Sequence, residues 1–201
     1  MLLENVDAQF TIPFCGIDEA GRGPWAGPVV AAAVCLTPDF SGYHELNDSK
    51  KLKKQHRENL SEALMQETHY GIGVVTAQEI DTHNILQASL LAMQRAHSAI
   101  CVTAPVQLAL VDGNRPPILS CGVQTFVQGD CRSASIAAAS ILAKVTRDRM
   151  MVELDTAHPG YAFAAHKGYG TKQHQLALQQ LGPCPEHRRS FKPIQKLLEN
   201  L

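Results

Sequence analysis

A chain of 201 residues, 45% hydrophobic and 18% charged, is long enough to close a substantial core and too apolar to be disordered. Its formal net charge of −1 excludes a uniformly basic nucleic-acid coat, so any basic surface must be local and balanced by acids gathered elsewhere. No apolar run approaches the length of a membrane span, and an N-terminus carrying Glu4 and Asp7 without a basic leader does not read as a signal peptide, so the chain is expected to be cytoplasmic.

The first informative stretch runs Cys15-Gly-Ile-Asp18-Glu19-Ala-Gly21-Arg22-Gly23-Pro-Trp25-Ala-Gly27-Pro28, followed by an apolar run from Val29 to Leu36. It reads as strand, tight loop, strand, with two carboxylates at the mouth of the turn. Successive strand side chains point to opposite faces, so Asp18 and Glu19 serve one site only if the strand ends or bulges there. The plain alternative is a solvated Asp-Glu turn. Gly21 and Gly23 around Arg22 favour a site, because their backbone N–H groups can approach a phosphate or sugar closely. Neither a dinucleotide nor a P-loop glycine pattern is present.

Ser49 is placed to cap a helix on whose face Leu52, Leu60, Ala63 and Leu64 fall together. Lys50, Lys51, Lys53, Lys54 and Arg57 form a basic run that is either a solvated face or, at Lys50 and Lys51, a contact to backbone phosphates. Gly71 to Val75 reads as a strand. Thr76 with Glu79 has the form of a capping box for a helix reaching about Ile100, with His97 as an ordinary helix residue. Val106 to Val111 reads as a buried strand ending on Asp112, where the acid either starts a turn or belongs to a site at the strand ends.

Gly122 to Val127 alternates as a strand and leads to Asp130, just ahead of a helix rich in small residues from Ser133. Asp130 can simply favour helix entry through the dipole. Asp148, far along that helix, competes with Asp130 as a fourth acid; Asp130 is preferred because it lies near the strand ends. Pro159 and Gly160 close the helical region. His166-Lys-Gly-Tyr169-Gly-Thr171 is a glycine-hinged loop, and Thr171 can cap a helix from Lys172 to Leu181, stopped by Gly182 and Pro183. A short final helix follows Lys192. The expected architecture is one α/β domain over residues 1–201, with residues from about 160 forming a helical appendage. Six cysteines without C-x-x-C spacing read as small buried residues rather than disulfides or a zinc site.

The stretch from Ile17 to Val30 resembles the signature of the ribonuclease HII family. So do Asn47-Asp-Ser-Lys-Lys-Leu52, Asn84-Ile-Leu86, Val111-Asp-Gly-Asn114, Ala-Lys144-Val-Thr-Arg147-Asp148 and His166 to Thr171, in the same order. The resemblance covers about Ile12 to Lys192. It implies a ribonuclease H-like mixed sheet flanked by helices, and cleavage of RNA in RNA–DNA hybrids and at ribonucleotides embedded in duplex DNA. Cuts leaving 3′-hydroxyl and 5′-phosphate ends are implied as well. Asp18, Glu19, Asp112 and Asp130 then hold Mn²⁺ or Mg²⁺, hard cations suited to oxygen ligands. Gly21, Arg22 and Gly23 read the 2′-hydroxyl, Tyr169 senses the RNA–DNA junction, and Lys50 and Lys51 hold phosphates. A monomer is expected. Two departures, Trp25 for an aliphatic residue and Cys131-Arg132 for a small residue and Lys, bear on positioning. The competing readings are a non-catalytic hybrid-binding module of the same fold and a nuclease of that fold with another substrate.

Overall fold

The computed structural model describes residues 5–47, 49–50 and 52–199. Five strands form one mixed sheet in the order β3-β2-β1-β4-β5. The strands are β1 (Phe14–Ala20), β2 (Val29–Cys35), β3 (His69–Val75), β4 (Leu108–Asp112) and β5 (Gly122–Phe126). The pairs β1 with β2, joined by a short loop, and β2 with β3, joined through a helix, are antiparallel, whereas β4 runs parallel to both β1 and β5.

The alternation of strand side chains sorts the core into two layers. Ile17, Val29, Ala31, Ala33, Ala109 and Val111 face α2 (Ala77–Ile100), meeting Ala88, Ala92, Met93, Ala96 and Ile100. Ala32 and Val34 face the opposite way, onto α3 (Ala134–Ala157) and α1 (Lys54–Glu67). The small residues of α3 let its first turn lie on β1: a Cβ at Gly16 would fall on the backbone of Ser135 and Ile136. Helices α4 (Phe163–His166), α5 (Lys172–Leu181) and α6 (Lys192–Leu198) complete the chain. Their core is built on Phe163, Ala177, Leu178 and Ile194 around Ala26 and Met151.

Local signals hold at several helix ends. Thr76 and Glu79 form the reciprocal capping box, and the Thr171 side chain accepts from the His174 N–H at 3.3 Å. Each such cap stabilises its helix by about 1 kcal/mol. The α2 helix is kinked at Asn84 (φ 63°), whose Oδ1 accepts from Leu86 and Gln87 N–H and so caps its second part.

The Ser49 expectation is corrected. Helix α1 starts at Lys54 with no side-chain cap, while Ser49 is buried and its hydroxyl bonds that of Ser140 at 2.8 Å. Lys50 therefore sits in a turn, not at a helix N-terminus; Lys51 lies outside the described residues. The free cysteines among the described residues are only partly the small buried residues expected: Cys15 and Cys184 are buried, but Cys101 is exposed. No helix among the described residues is long and apolar enough to cross a membrane.

Candidate active site

At the C-terminal ends of β1 and β4 the sheet opens into a cleft of about 330 Å³. Pairing of these two strands ends at Ile17 with Val111, which leaves Asp18 and Asp112 abreast on neighbouring strands. Both project to the α3 side, opposite their inward-facing neighbours Ile17 and Val111. The expected strand end or bulge is not how Glu19 joins them. Instead β1 continues in unbroken register with β2, Asp18 opposite Ala32 and Glu19 opposite Ala31. Because β4 has stopped, the end of β1 is open on that side, and acids from both of its faces reach the cleft.

Backbone donors fix the acids. Asp18 Oδ1 accepts the Glu19 N–H, and Asp112 Oδ1 accepts the Gly129 N–H, each at 2.7 Å. The second bond ties β4 to the 3₁₀ turn Gly129–Cys131, which carries Asp130 to the same cleft. The start of α3 has other acceptors of its own. The Ser133 side chain accepts from Ile136 N–H at 3.1 Å, and Asp7, from the N-terminal segment, accepts from both the N–H and the hydroxyl of Ser135 at 2.8 Å. Asp148 is not among the residues lining the cleft; its carboxylate is held by Lys144 at 2.6 Å and Arg57 at 3.9 Å.

Electrostatics mark the cluster. Burial pushes the Asp18 carboxyl well above the ordinary carboxylate range, with further elevation from Glu19, Asp112 and Asp130. Glu19 is raised by burial and by Asp112 against the pull of Arg22, whose Nη1 lies 3.3 Å from Glu19 Oε1. Asp112 is raised by burial and Asp130, and lowered by the Gly129 and Gly113 N–H groups and by Lys50. Among the described residues no three His, Cys, Asp or Glu side chains already stand at metal-ligand spacing. What fits a hard divalent cation is the donor chemistry: an all-oxygen set of mutually repelling carboxylates.

The turn Gly21-Arg22-Gly23 and Tyr169 line the same cleft. Gly21 is left-handed (φ 99°), and a Cβ there would strike the Arg147 side chain. Gly23 lies beside the Tyr169 ring, which is 48% exposed: a Cβ on Gly23 would sit 3.5 Å from Tyr169 Cε1. Two buried arginines hold this turn, and sequence reasoning had assigned a role to neither. Arg188 donates to the carbonyls of Gly21 (2.6 Å), Arg22 (2.9 Å), Gly27 (3.0 Å) and Pro28 (3.1 Å). Arg147 donates to Pro28 (2.9 Å), Lys167 (3.0 Å) and Ala26 (3.2 Å). A trans peptide directs its N–H opposite to its C=O, so the N–H groups of Arg22 and Gly23 point away from the Arg188 guanidinium. Trp25 packs its indole against Gly170 and lies 5.8 Å from the His174 ring. Lys50, Lys144, Ser49 and Ser140 complete the cleft. Arg147 shows in the sequence through the family-like phrase that contains it and through its spacing, four residues from both Ala143 and Met151 on the buried stripe of α3.

Residues 15–194 match the family model described as Ribonuclease HII. A Ribonuclease HII of Parvibaculum lavamentivorans is 53% identical over 186 residues, covering 92% of this chain and 68% of that protein. One from Paramagnetospirillum magneticum is 53% identical over 183 residues, with 90% of each chain covered. Among solved structures, ribonuclease H2 from Pyrococcus horikoshii superimposes with a TM-score of 0.73 at 25% identity, over 94% of this chain and 98% of that one. A Bst-RNase HIII in complex with Mn²⁺ shares the fold at 19% identity, with a TM-score of 0.71, over 94% of this chain and 70% of that one.

Proposed function

The chain belongs to the ribonuclease HII family, a family of endonuclease hydrolases, and on that premise we propose that it cuts at ribonucleotides embedded in duplex DNA as well as within RNA–DNA hybrids. One observation carries this reading. Asp18, Glu19, Asp112 and Asp130 line a single cleft together with the Gly21-Arg22-Gly23 turn and Tyr169.

The carboxylates would hold Mn²⁺ or Mg²⁺, which supplies activation of water and neutralisation of the charge that develops on the leaving oxygen. The remaining steps are this chain's own. Lys50 at the cleft edge attracts backbone phosphate without regard to sugar. The Arg22 and Gly23 N–H groups donate toward the 2′-hydroxyl, the group that separates RNA from DNA. Tyr169 packs on the neighbouring sugar and favours one that lacks the hydroxyl. Asp18 and Asp112, each fixed through one oxygen by a backbone N–H, would keep the other oxygen available for the cation. Hydrolysis leaves 3′-hydroxyl and 5′-phosphate ends. We take the working form to be a cytoplasmic monomer.

The test is cleavage, with Mn²⁺ or Mg²⁺, of three matched duplexes: all DNA, continuous hybrid, and DNA with one ribonucleotide. The reading requires cutting of the last two and not the first, and Asp112→Asn should lose at least about 100-fold in rate with duplex binding retained, beyond the 10–100-fold typical of outer-shell partners. Binding without cutting by the unaltered protein would favour the non-catalytic module.

A further inference from the structure

Three histidines are buried behind the Tyr169 loop, away from the carboxylates: His166, His174 and His187 are 8%, 0% and 1% exposed. The rings of His166 and His174 stack at 4.4 Å and 15°. His174 Nδ1 lies 3.0 Å from the Tyr169 carbonyl oxygen, and its Nε2 lies 3.0 Å from His187 Nε2. At the far end the Cys184 N–H donates to His187 Nδ1 at 3.0 Å.

These contacts determine where the protons are. The Tyr169 carbonyl only accepts, so His174 must carry its proton on Nδ1. Neutral His174 then offers a lone pair at Nε2, so His187 must carry its proton on Nε2; its Nδ1 therefore accepts the Cys184 N–H at 3.0 Å rather than donating to the Cys184 carbonyl oxygen 3.3 Å away, which would set two Nε2 lone pairs against each other. The chain thus runs one way, through two imidazoles of opposite tautomer. Burial lowers both rings to about 4, which keeps them neutral near pH 7. The segment it starts from also holds the residues that follow the Gly21-Arg22-Gly23 turn. His187 bridges Ala26, the Gly27 N–H donates to Glu186 at 2.9 Å, and the Arg188 N–H donates to Trp25 at 2.8 Å.

We propose that His174 and His187 are positioning residues for substrate discrimination: their one-way hydrogen-bond chain sets the placement of Tyr169 against the Gly21-Arg22-Gly23 turn. The proposal rests on the reading of Tyr169 as a junction sensor given above. Neither ring touches the cleft, so both act through Tyr169. Without the chain the Tyr169 carbonyl keeps only the Thr171 N–H at 2.8 Å, and the loop around the left-handed Lys167 and Gly168 loses its tie to residues 184–188.

The experiment compares His174→Phe, which keeps the ring volume and loses the donor, with His174→Asn, whose amide N–H replaces the one at Nδ1. We expect His174→Phe to lower cleavage at a single embedded ribonucleotide, relative to a continuous hybrid, by about threefold to tenfold, the effect of one lost hydrogen bond. His174→Asn should recover most of that ratio at unchanged duplex affinity. An unchanged ratio in the Phe variant, or an equal loss in the Asn variant, overturns the proposal. Two readouts do not involve catalysis. Imidazole ¹⁵N shifts at pH 7 should show His174 protonated at Nδ1 and His187 at Nε2, and exchange of the Tyr169 amide should speed up in the Phe variant but not the Asn variant. Matching tautomers, a charged ring or unaltered exchange overturns the proposal even if the unaltered protein treats both substrates alike, a result that would by itself refute only the junction reading.

Discussion

Arg188 Nη2 donates to the Gly21 carbonyl at 2.6 Å across 167 residues of sequence, and the hydrogen bonds of its guanidinium go to backbone carbonyls, with Asp81 acting on it only through its charge. Burial lowers Arg188 to about 9 and Arg147 to about 10, and backbone carbonyls offset that cost. A planar guanidinium can serve four oxygens at fixed angles, which an ammonium cannot. Arg188→Lys should therefore lose at least one charge-assisted bond, about 1.5–3 kcal/mol, and lower the melting temperature by roughly 3–12 °C. Calorimetry of the variant checks this, and an unchanged melting temperature would mean that the turn holds itself.

Without metal, the clustered acids repel one another. Asp130→Asn should raise the melting temperature of the protein in EDTA by about 2–4 °C, for roughly 1 kcal/mol of repulsion relieved. The opposing loss of a helix-dipole interaction is about 0.3–1 kcal/mol and reduced here, since Ser133 and Asp7 already serve the first turn of α3. A lower melting temperature would assign Asp130 to helix entry instead.

Lys50 borders the cleft and lies near Asp112. As a phosphate contact it adds affinity without discrimination. Lys50→Ala should weaken binding to DNA, hybrid and mixed duplexes alike, and make the slope of log affinity against log salt shallower by about 0.9. Titrations at several salt concentrations measure this; a loss confined to one duplex type would contradict it.

The paired imidazoles give a pH signature. Their folded-state values, about 4, lie below the ordinary histidine value of 6.5, so the unfolded chain takes up protons first as pH falls. Their contribution is complete above pH 6.5 and is lost progressively as pH drops toward 4. A variant with His174→Asn and His187→Asn should show a flatter fall of melting temperature across that window. An equal slope in both proteins would mean the rings are not held neutral.

How far the sequence foretold this arrangement depended on the range of each interaction. The Thr76–Glu79 box, the Thr171 cap and the alternating strands are local and were legible. The cleft acids were legible as candidates from their places near predicted strand ends, whereas the alternatives, a turn at Asp112 and helix entry at Asp130, are equally local and so not separable in sequence. Ser49 was misread as a cap because its partner, Ser140, is 91 residues away. Asp7 at the start of α3 and Arg188 beneath the glycine turn were invisible for the same reason, since their partners are backbone groups more than 100 residues distant. The continuation of β1 through Glu19 followed from where β4 stops, a tertiary fact that no strand periodicity contains.

The central claim is that one hydroxyl, met by the Gly21-Arg22-Gly23 turn, decides whether the strand is cut. It is tested most directly by single-turnover cleavage of one DNA duplex carrying a 2′-hydroxyl, a 2′-hydrogen or a 2′-methoxy group at a single position, with Mn²⁺ and saturating protein. We expect cutting of the hydroxyl duplex alone, while all three duplexes bind with similar affinity through their common phosphates. Comparable cleavage of the 2′-hydrogen duplex would contradict it.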